Sequence, residues 1–420
     1  MQKLSGPTII NHRLFTILAL GFASGLPYAL RGTTLQAWFA SVKSEVSLVT
    51  VGTILMVAGL PYLFKVLWAP LMDHFGFEKF GKRKGWILMM QAGVVVALML
   101  LAQTNPSENI LMVGVLAFTL AFFSASQDIS ITAYQADVLP SEERGLGVSY
   151  YVFAYRIALL ISGGLALIFA DYFGWKLTYE LMAVIFLLSI FPTLKAPAVY
   201  DIKPVNANIF HTTLQAWRNM FQREQIILVA LFILFYKFGD ALALQLMTFF
   251  LMKGLGFTLT ELGLTYKTVS FIAAIAGGFV GGIILTRWNI FKALLWFGLA
   301  QAFSNLTFVW LAMSDKQFVS MSLAVFLENF CSGLSTAALF SFMLSLCDKR
   351  YSATQYALLS VIASSGNILL GPVAAFMIEQ LGWIQFFIWT FVLCFPGIFF
   401  LLLLMRDTER VGKHAHAELY

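Results

Sequence analysis

Charged side chains are scarce in this sequence. Aspartate, glutamate, lysine and arginine make up 11% of its 420 residues, whereas hydrophobic residues make up 60%. The mean hydropathy is +0.82. Soluble domains carry about 25% charged residues. The shortage of charge therefore excludes a soluble protein and indicates a chain that crosses a membrane many times.

Cysteine and histidine are also rare. The sequence has three cysteines and five histidines, and neither set has the spacing of metal ligands. The cysteines fall in or at the ends of apolar stretches, and the histidines fall in predicted loops or tails. We therefore expect no metal site, no cofactor and no histidine proton relay. These residues are Cys331, Cys347, Cys394, His12, His74, His211, His414 and His416.

The basic residues do not form clusters. The net charge of +6 comes from lysines and arginines scattered through short loops, so we expect no nucleic-acid partner. The opening residues, MQKLSGPTIINHR, lack the charged region, short apolar core and cleavage site of a secretory signal. We expect the first apolar segment to be retained as a membrane span.

Twelve apolar stretches are long enough to cross a bilayer as helices. The longest polar connection divides them six and six. We expect an N-terminal six-helix bundle (1–195), a cytoplasmic linker (196–225), a C-terminal six-helix bundle (226–405) and a cytoplasmic tail (406–420). The apolar stretches are 14–39, 46–72, 86–104, 110–138, 145–171, 177–195, 226–252, 258–286, 291–313, 318–347, 353–379 and 383–405.

Two patterns recur in both halves. The turn DYFGW (171–175) before the sixth stretch matches EQLGW (379–383) before the twelfth, and Asp137 and Asp348 each precede a charged turn. Six plus six helices with parallel repeats is the architecture of major facilitator transporters. We therefore expect an all-α membrane protein with the major facilitator fold, built from twelve transmembrane helices in two six-helix pseudo-repeats.

Lysine and arginine are concentrated in the loops on the side of the N-terminus. The opposite loops contain only Lys43, Lys176, Lys253 and Lys316. Because positively charged loops stay in the cytoplasm, both termini are predicted to be cytoplasmic.

Charged residues deep inside the predicted helices avoid the third, sixth, ninth and twelfth, in which the only charged residues, Glu180, Lys195 and Lys292, lie near the ends. Those four helices are peripheral in a major facilitator, and the other eight surround a central cavity. A surplus of cations there favours an anionic solute. We expect the five cations to bind substrate together with Gln127, Glu328 and Asn329. The cations are Arg31, Lys65, Arg156, Lys237 and Lys267, and the anions are Asp128, Asp240 and Glu328.

The stretch SASQDISITAYQADVLP (124–140) carries polar groups that a lipid-facing helix leaves unsatisfied. Asp128 is predicted to lie near the membrane centre, where inserting a charge costs about 2.5–3.5 kcal/mol. We expect it to carry a coupling proton, with Gln127 contacting sugar hydroxyls. The alternative is a structural role, through a hydrogen bond between helices or an ion pair with Arg156. Asp137, about 13.5 Å further along the helix, falls at a rim.

Asp240 is the rival proton site. Lys237 precedes it by three residues and shares its helix face, which argues against protonation of Asp240. In the alternative interpretation this pair only lowers the cost of membrane insertion. In the first helix, Gly21 and Gly25 predict close helix packing.

The connection after the second helix carries Asp73, followed by Lys82 and Arg83, and resembles the major facilitator signature at that place. We expect this loop, with Asp137 and Arg144, to act as a cytoplasmic gate through charge pairing rather than to bind substrate.

Nine short motifs resemble the AmpG-type muropeptide permeases of Gram-negative bacteria. The motifs are LGFASGLPYAL (20–30), TLQAW (34–38), FKVLWAPLMD (64–73), SASQDI (124–129), DVLPSEERG (137–145), SGGLAL (162–167), YKFGDA (236–241), LENFCSG (327–333) and SATQYALLS (352–360).

This resemblance implies an importer of N-acetylglucosaminyl-1,6-anhydro-N-acetylmuramyl peptides, driven by the proton-motive force. The family works in the bacterial inner membrane in cell-wall recycling, and its products feed β-lactamase induction and so antibiotic resistance. We expect a monomer whose partners are the anhydromuropeptide, protons and membrane lipids.

Three other functions compete with this interpretation. One is a facilitator for another anionic solute such as acetyl-CoA, and another is a sensor of the same fold that does not transport. A membrane-embedded transferase or hydrolase needs paired metal-binding aspartates or a histidine–acid pair at a membrane face, and the sequence has neither. We therefore expect that the protein is not an enzyme.

Overall fold

Helices account for all the regular backbone in the computed structural model of this protein. It describes residues 11–42, 47–75, 81–140, 143–197, 218–220, 222, 225–347 and 352–417. Within these ranges, ten helical segments are long and apolar enough to cross a membrane. Two of them contain 50 and 52 residues. At 1.5 Å per residue each of these is about 75 Å long, more than twice the hydrocarbon thickness of a bilayer.

Each of these two long segments is broken by a glycine. Gly174 has φ 81° and Gly382 has φ 74°, outside the helical region, so each segment contains two helices. A side chain at either position is strained in this conformation. The repeated DYFGW and EQLGW turns therefore have the same backbone break, and twelve helices result, as predicted.

The twelve helices, labelled α1–α12, follow one another in chain order. Their ranges are α1 His12–Ser41, α2 Leu48–Leu67, α3 Lys82–Ala102, α4 Ile110–Val138, α5 144–173, α6 175–195, α7 Ile226–Gly254, α8 Leu259–Leu285, α9 Ile290–Ala312, α10 Phe318–Ser345, α11 352–381 and α12 383–417.

Several helices depart locally from α geometry. The helix α2 ends in a 3₁₀ turn at Lys65–Leu67, and α7 is interrupted at Lys237, which separates Ile226–Tyr236 from Phe238–Leu244. Wider π-helical turns occur where functional sites often lie. The π-helical turns are Leu30–Thr34 in α1, Ile161–Leu165 in α5, Phe250–Gly254 in α7 and Leu262–Lys267 in α8.

The chain forms two compact units, and each half of the sequence contributes a short segment to the other half's unit. Unit 1 comprises Met1–Val46, Ile54–Asn206 and Thr258–Lys267, and unit 2 comprises Ser47–Thr53, Ala207–Phe257 and Thr268–Tyr420.

The predicted linker and the predicted tail do not coincide with the segments that the structure describes. Most of the predicted linker 196–225 lies outside the described residues. The predicted tail 406–420 begins inside α12, whose helix continues to Ala417.

Glycines allow close helix contacts within each unit. In unit 1, a Cβ atom on Gly25 would lie 2.5 Å from the backbone oxygen of Tyr155, and one on Gly21 would collide with the backbone of Tyr151. The prediction that this glycine pair serves helix packing is therefore confirmed for α1 and α5. In unit 2, Gly333 of α10 meets the backbone oxygen of Ala274 in α8 in the same way.

Candidate functional site

Four tyrosines from three helices of unit 1 form a group that we call the tyrosine cluster: Tyr28 of α1, Tyr62 of α2, and Tyr151 and Tyr155 of α5. The Tyr28 and Tyr62 rings meet edge to face with centroids 5.3 Å apart. Tyr155 lies 6.4 Å from Tyr28 and 6.2 Å from Tyr151. All four side chains are half-buried. The cluster exists because the glycines of α1 bring α5 close to it.

Asp128 of α4 lies beside the tyrosine cluster. Electrostatic interactions connect its carboxyl group to Lys65 and to Tyr62, Tyr151 and Tyr155. Its Oδ1 atom has no hydrogen-bond partner. No ion pair joins Asp128 to Arg156 in the part of the chain that the structure describes, and Arg156 is exposed. The structure therefore shows Asp128 without the alternative ion pair to Arg156.

Other polar atoms around Asp128 are also unsatisfied. Both side-chain polar atoms of the buried Gln127 lack a partner, and the hydroxyl of Ser24 in α1 interacts with Asp128 and Tyr151 but makes no hydrogen bond of good geometry. Buried polar groups are almost always hydrogen-bonded, so each exception needs an explanation. An unfilled set of donors and acceptors beside aromatic rings is typical of a ligand site.

Arg31 of α1 lies between two rings of the tyrosine cluster. Its guanidinium carbon is 4.5 Å from the centroid of Tyr28 and 4.7 Å from that of Tyr62. Each ring face attracts the cation. Tyr62 is itself held in place because its hydroxyl donates a 2.8 Å hydrogen bond to Ser124 of α4.

The remaining predicted cations of unit 1 occupy helix interruptions. Lys65 begins the 3₁₀ turn of α2 and is half-buried. Lys267 ends the π-helical turn of α8, and its Nζ lies 4.7 Å from the ring centroid of Tyr266.

A second polar group lies in unit 2, and we call it the Lys237 cluster. Lys237 Nζ is 2.9 Å from Asp240 Oδ2 and donates 3.0 Å hydrogen bonds to the hydroxyls of Ser332 and Ser335 in α10. Gln301 of α9 donates to Asp240 Oδ1 at 2.9 Å. The predicted pairing of Lys237 with Asp240 is therefore present, and its charges are well satisfied.

Glu328 of α10 adds a second carboxyl group to the Lys237 cluster. It is fully buried, and electrostatic interactions connect it to Asp240 and Lys237. Neither carboxyl oxygen has a hydrogen-bond partner of good geometry. Its neighbour Asn329 donates a 2.9 Å bond to the Val325 carbonyl of the same helix. The two carboxyl groups share one lysine.

Part of the predicted gate is visible. Arg83 Nε, at the start of α3, lies 3.2 Å from Asp137 Oδ2, near the end of α4, and the pair is partly exposed. The side chains of Asp73, Lys82 and Arg144 lie outside the described residues, so their pairing stays a prediction.

The sequence interpretation missed two groups of residues. It named neither the tyrosine cluster nor Gln301, because tyrosines in apolar segments resemble core residues and the only charged residue of α9, Lys292, lies in its first turn, far from Gln301. The signal available for the tyrosines was the spacing of Tyr28 and Arg31, three residues apart on one helix face.

Comparison with known proteins agrees with this fold. A sequence profile described as Major Facilitator Superfamily matches residues 13–371. The anhydromuropeptide permease of Escherichia coli (strain K12) is 42% identical over 394 residues, which cover 94% of this chain and 80% of that protein.

Solved structures resemble the chain in fold. A bacterial homologue of the human lysosomal transporter Spinster, in an inward-facing and unoccupied conformation, gives a TM-score of 0.71 at 14% identity over 96% of this chain and 98% of that one. A D-xylose–proton symporter gives 0.70 at 11% identity over 93% and 96%. The predicted fold is confirmed.

Proposed function

Because the chain belongs to the major facilitator superfamily, and within it to the AmpG-type anhydromuropeptide permeases, we propose that it imports N-acetylglucosaminyl-1,6-anhydro-N-acetylmuramyl peptides. The superfamily is one of transporters and not of enzymes. Transport runs from the periplasm to the cytoplasm through the bacterial inner membrane, with both chain termini on the cytoplasmic side. The imported products serve cell-wall recycling and, indirectly, β-lactamase induction.

The observation that supports this substrate is the set of unsatisfied polar atoms beside the tyrosine cluster. Asp128, Gln127 and Ser24 offer an acceptor, an amide and a hydroxyl whose hydrogen bonds within the protein are missing or of poor geometry. A disaccharide presents many hydroxyl groups and flat apolar ring faces. The polar atoms accept and donate to the hydroxyls while tyrosine rings pack on the sugar faces, the usual composition of a small-molecule site.

Proton coupling is assigned to Asp128. A buried carboxyl group that makes no ion pair binds a proton more readily than one held in an ion pair. Asp128 has an unpartnered oxygen, while Asp240 is held by Lys237, Ser332 and Gln301. Proton binding to Asp128 on the periplasmic side neutralises it and allows the loaded carrier to reorient.

The decisive test compares Asp128→Asn with Asp240→Asn in proteoliposomes supplied with labelled anhydromuropeptide from outside. Asp128→Asn is expected to lose accumulation driven by a pH gradient yet to keep exchange at equal concentrations on both sides. If accumulation survives in Asp128→Asn and vanishes in Asp240→Asn, the proton belongs to α7 and the assignment is wrong. Uptake of acetyl-CoA in place of the muropeptide would identify the rival anionic substrate.

The loop of Asp73, Lys82 and Arg83, with Asp137 and Arg144, is proposed as the cytoplasmic gate of a monomer made of two six-helix bundles. The Arg83–Asp137 pair connects the start of α3 to the end of α4, as such a gate requires. Asp73→Asn is expected to slow transport while substrate affinity, measured by equilibrium binding, changes only a few-fold. A large loss of binding would place this loop in the substrate site.

A further inference from the structure

Arg31 is a buried cation that lacks an anion. Its side chain is 7% exposed, and its Nε has no hydrogen-bond partner. No carboxylate pairs with it among the residues that the structure describes. A guanidinium group has five N–H donors and cannot lose its charge in a protein. Such a group, buried without a counter-ion, is unfavourable unless something compensates it.

Two tyrosines compensate the charge only in part. Tyr28 and Tyr62 present their ring faces to the guanidinium, which attracts the cation but accepts none of its in-plane hydrogen bonds. The rings also restrict the side chain, so its N–H groups are oriented before a ligand arrives. A pre-oriented guanidinium with free donors in its plane fits a carboxylate, which it binds with two parallel hydrogen bonds.

Backbone geometry places Arg31 in this position. It lies in the π-helical turn Leu30–Thr34, which packs on the π-helical turn of α5 because Thr34 donates its hydroxyl hydrogen to the Ser162 carbonyl oxygen at 2.5 Å. A π-helical turn widens the helix and rotates the residues that follow, and it is frequent at functional sites.

A second unpaired cation borders the same turns. A Cβ atom on Gly163 of α5 would touch the Ala29 methyl group at 3.7 Å, the Thr33 hydroxyl at 3.9 Å and the Lys267 side chain at 4.0 Å. Lys267 belongs to the segment Thr258–Lys267 of unit 1, and none of its described neighbours forms an ion pair with it. The turns of α1 and α8 that carry the two cations therefore both lie against the π-helical turn of α5, and the α8 turn approaches so closely that a Cβ atom on Gly263 would lie 2.6 Å from the backbone oxygen of Gly164.

From these contacts we propose that Arg31, assisted by Lys267, binds the C-terminal carboxylate of the peptide part of the substrate. The tyrosine cluster and Asp128 then contact the sugars, and Arg31 distinguishes a substrate whose peptide ends in a free carboxylate from one whose peptide ends in an amide. This assignment rests on the proposed function and deepens it, because it names the group of the muropeptide that the cation recognises.

The test uses two anhydromuropeptides that differ only at the C-terminal end of the peptide, which is a free carboxylate in one and a primary amide in the other. Hydrogen bonds to charged groups contribute enough that the wild-type protein is expected to prefer the carboxylate form by roughly tenfold or more in transport at low concentration. Arg31→Gln is expected to abolish this preference, because transport of the carboxylate form falls much further than transport of the amide form, whose neutral end gains less from the arginine charge.

Three variants complete the experiment. Lys267→Gln is expected to lower the preference for the carboxylate form by a smaller factor than Arg31→Gln does. If Arg31→Gln does not fold, Lys267→Gln tests the assignment in its place. Arg31→Lys, which keeps the charge but loses the planar fork, is expected to restore part of the preference. Lys176→Gln removes an exposed cation of the same unit and is expected to leave the preference unchanged.

Three results would overturn the assignment. One is an equal loss of both substrates in folded Arg31→Gln, which would give this arginine a structural role. Another is equal transport of both forms by the wild-type protein. If the wild-type protein transports neither form, the proposed function itself is wrong, and that failure is visible without any variant.

Discussion

Removing the Lys237 side chain should leave the charge of Asp240 buried and unpaired inside unit 2. The two groups are 2.9 Å apart, and their side chains are 13% and 6% exposed. At an effective dielectric constant of about 20, opposite charges at this distance attract by roughly 6 kcal/mol. Ser332 and Gln301 still donate hydrogen bonds to the carboxylate after the lysine is lost, which reduces the penalty. We expect Lys237→Met to lower the free energy of unfolding by about 4 kcal/mol, as for other broken buried ion pairs.

The double variant Lys237→Met with Asp240→Leu separates the charge effect from a packing effect. Replacing both partners by apolar groups removes the unpaired buried charge, so most of the lost stability is expected to return. Gln301 and the two α10 serines then lose a partner, and recovery is therefore incomplete.

Thermal unfolding in detergent can be followed with a dye that fluoresces on reaction with thiols. Cys394 is buried, and its sulfur lies 3.3 Å from the amide nitrogen of Asn305, so it becomes reactive when α12 separates from α9. Alanine at Cys331 and Cys347 leaves this single reporter. A double variant as unstable as Lys237→Met would refute the reasoning, because the loss would then not come from an unpaired charge.

Three other substitutions test the structure. Gly25→Ala should destabilise the protein by about 1–3 kcal/mol, because the added methyl group pushes α1 away from α5. Gly32→Ala should not, because its methyl group meets open space. Equal thermal midpoints of the two variants would show that Gly25 is not needed for the contact between α1 and α5. Gly174→Ala should lower the free energy of unfolding by about 1–3 kcal/mol because φ at this position is 81°. The control Gly278→Ala in α8, where a Cβ atom meets open space, should cause no loss, and calorimetry in detergent compares the two variants. Lys65→Cys should react with a water-soluble thiol reagent from one aqueous side, and complete protection would count against an accessible site.

Local patterns in the sequence determined much of this protein. Runs of about twenty apolar residues have to form helices in a bilayer, because the backbone groups satisfy one another only there. The repeated glycine turns at Gly174 and Gly382 marked the ends of helices because only glycine adopts that conformation without strain. The pairing of Lys237 with Asp240 was also predictable, since three residues along a helix bring two side chains together.

Tertiary structure alone decided which side chains from different helices meet. Arg31 lies between Tyr28 and Tyr62 because a π-helical turn rotates α1 and packing brings α2 beside it, and no local pattern encodes either event. Gln301 donates a hydrogen bond to Asp240 although no charged residue of α9 lies near Gln301 in the sequence. Periodicity fixes the face of a residue on its own helix, whereas the partner of that face depends on contacts between surfaces that are far apart in the chain.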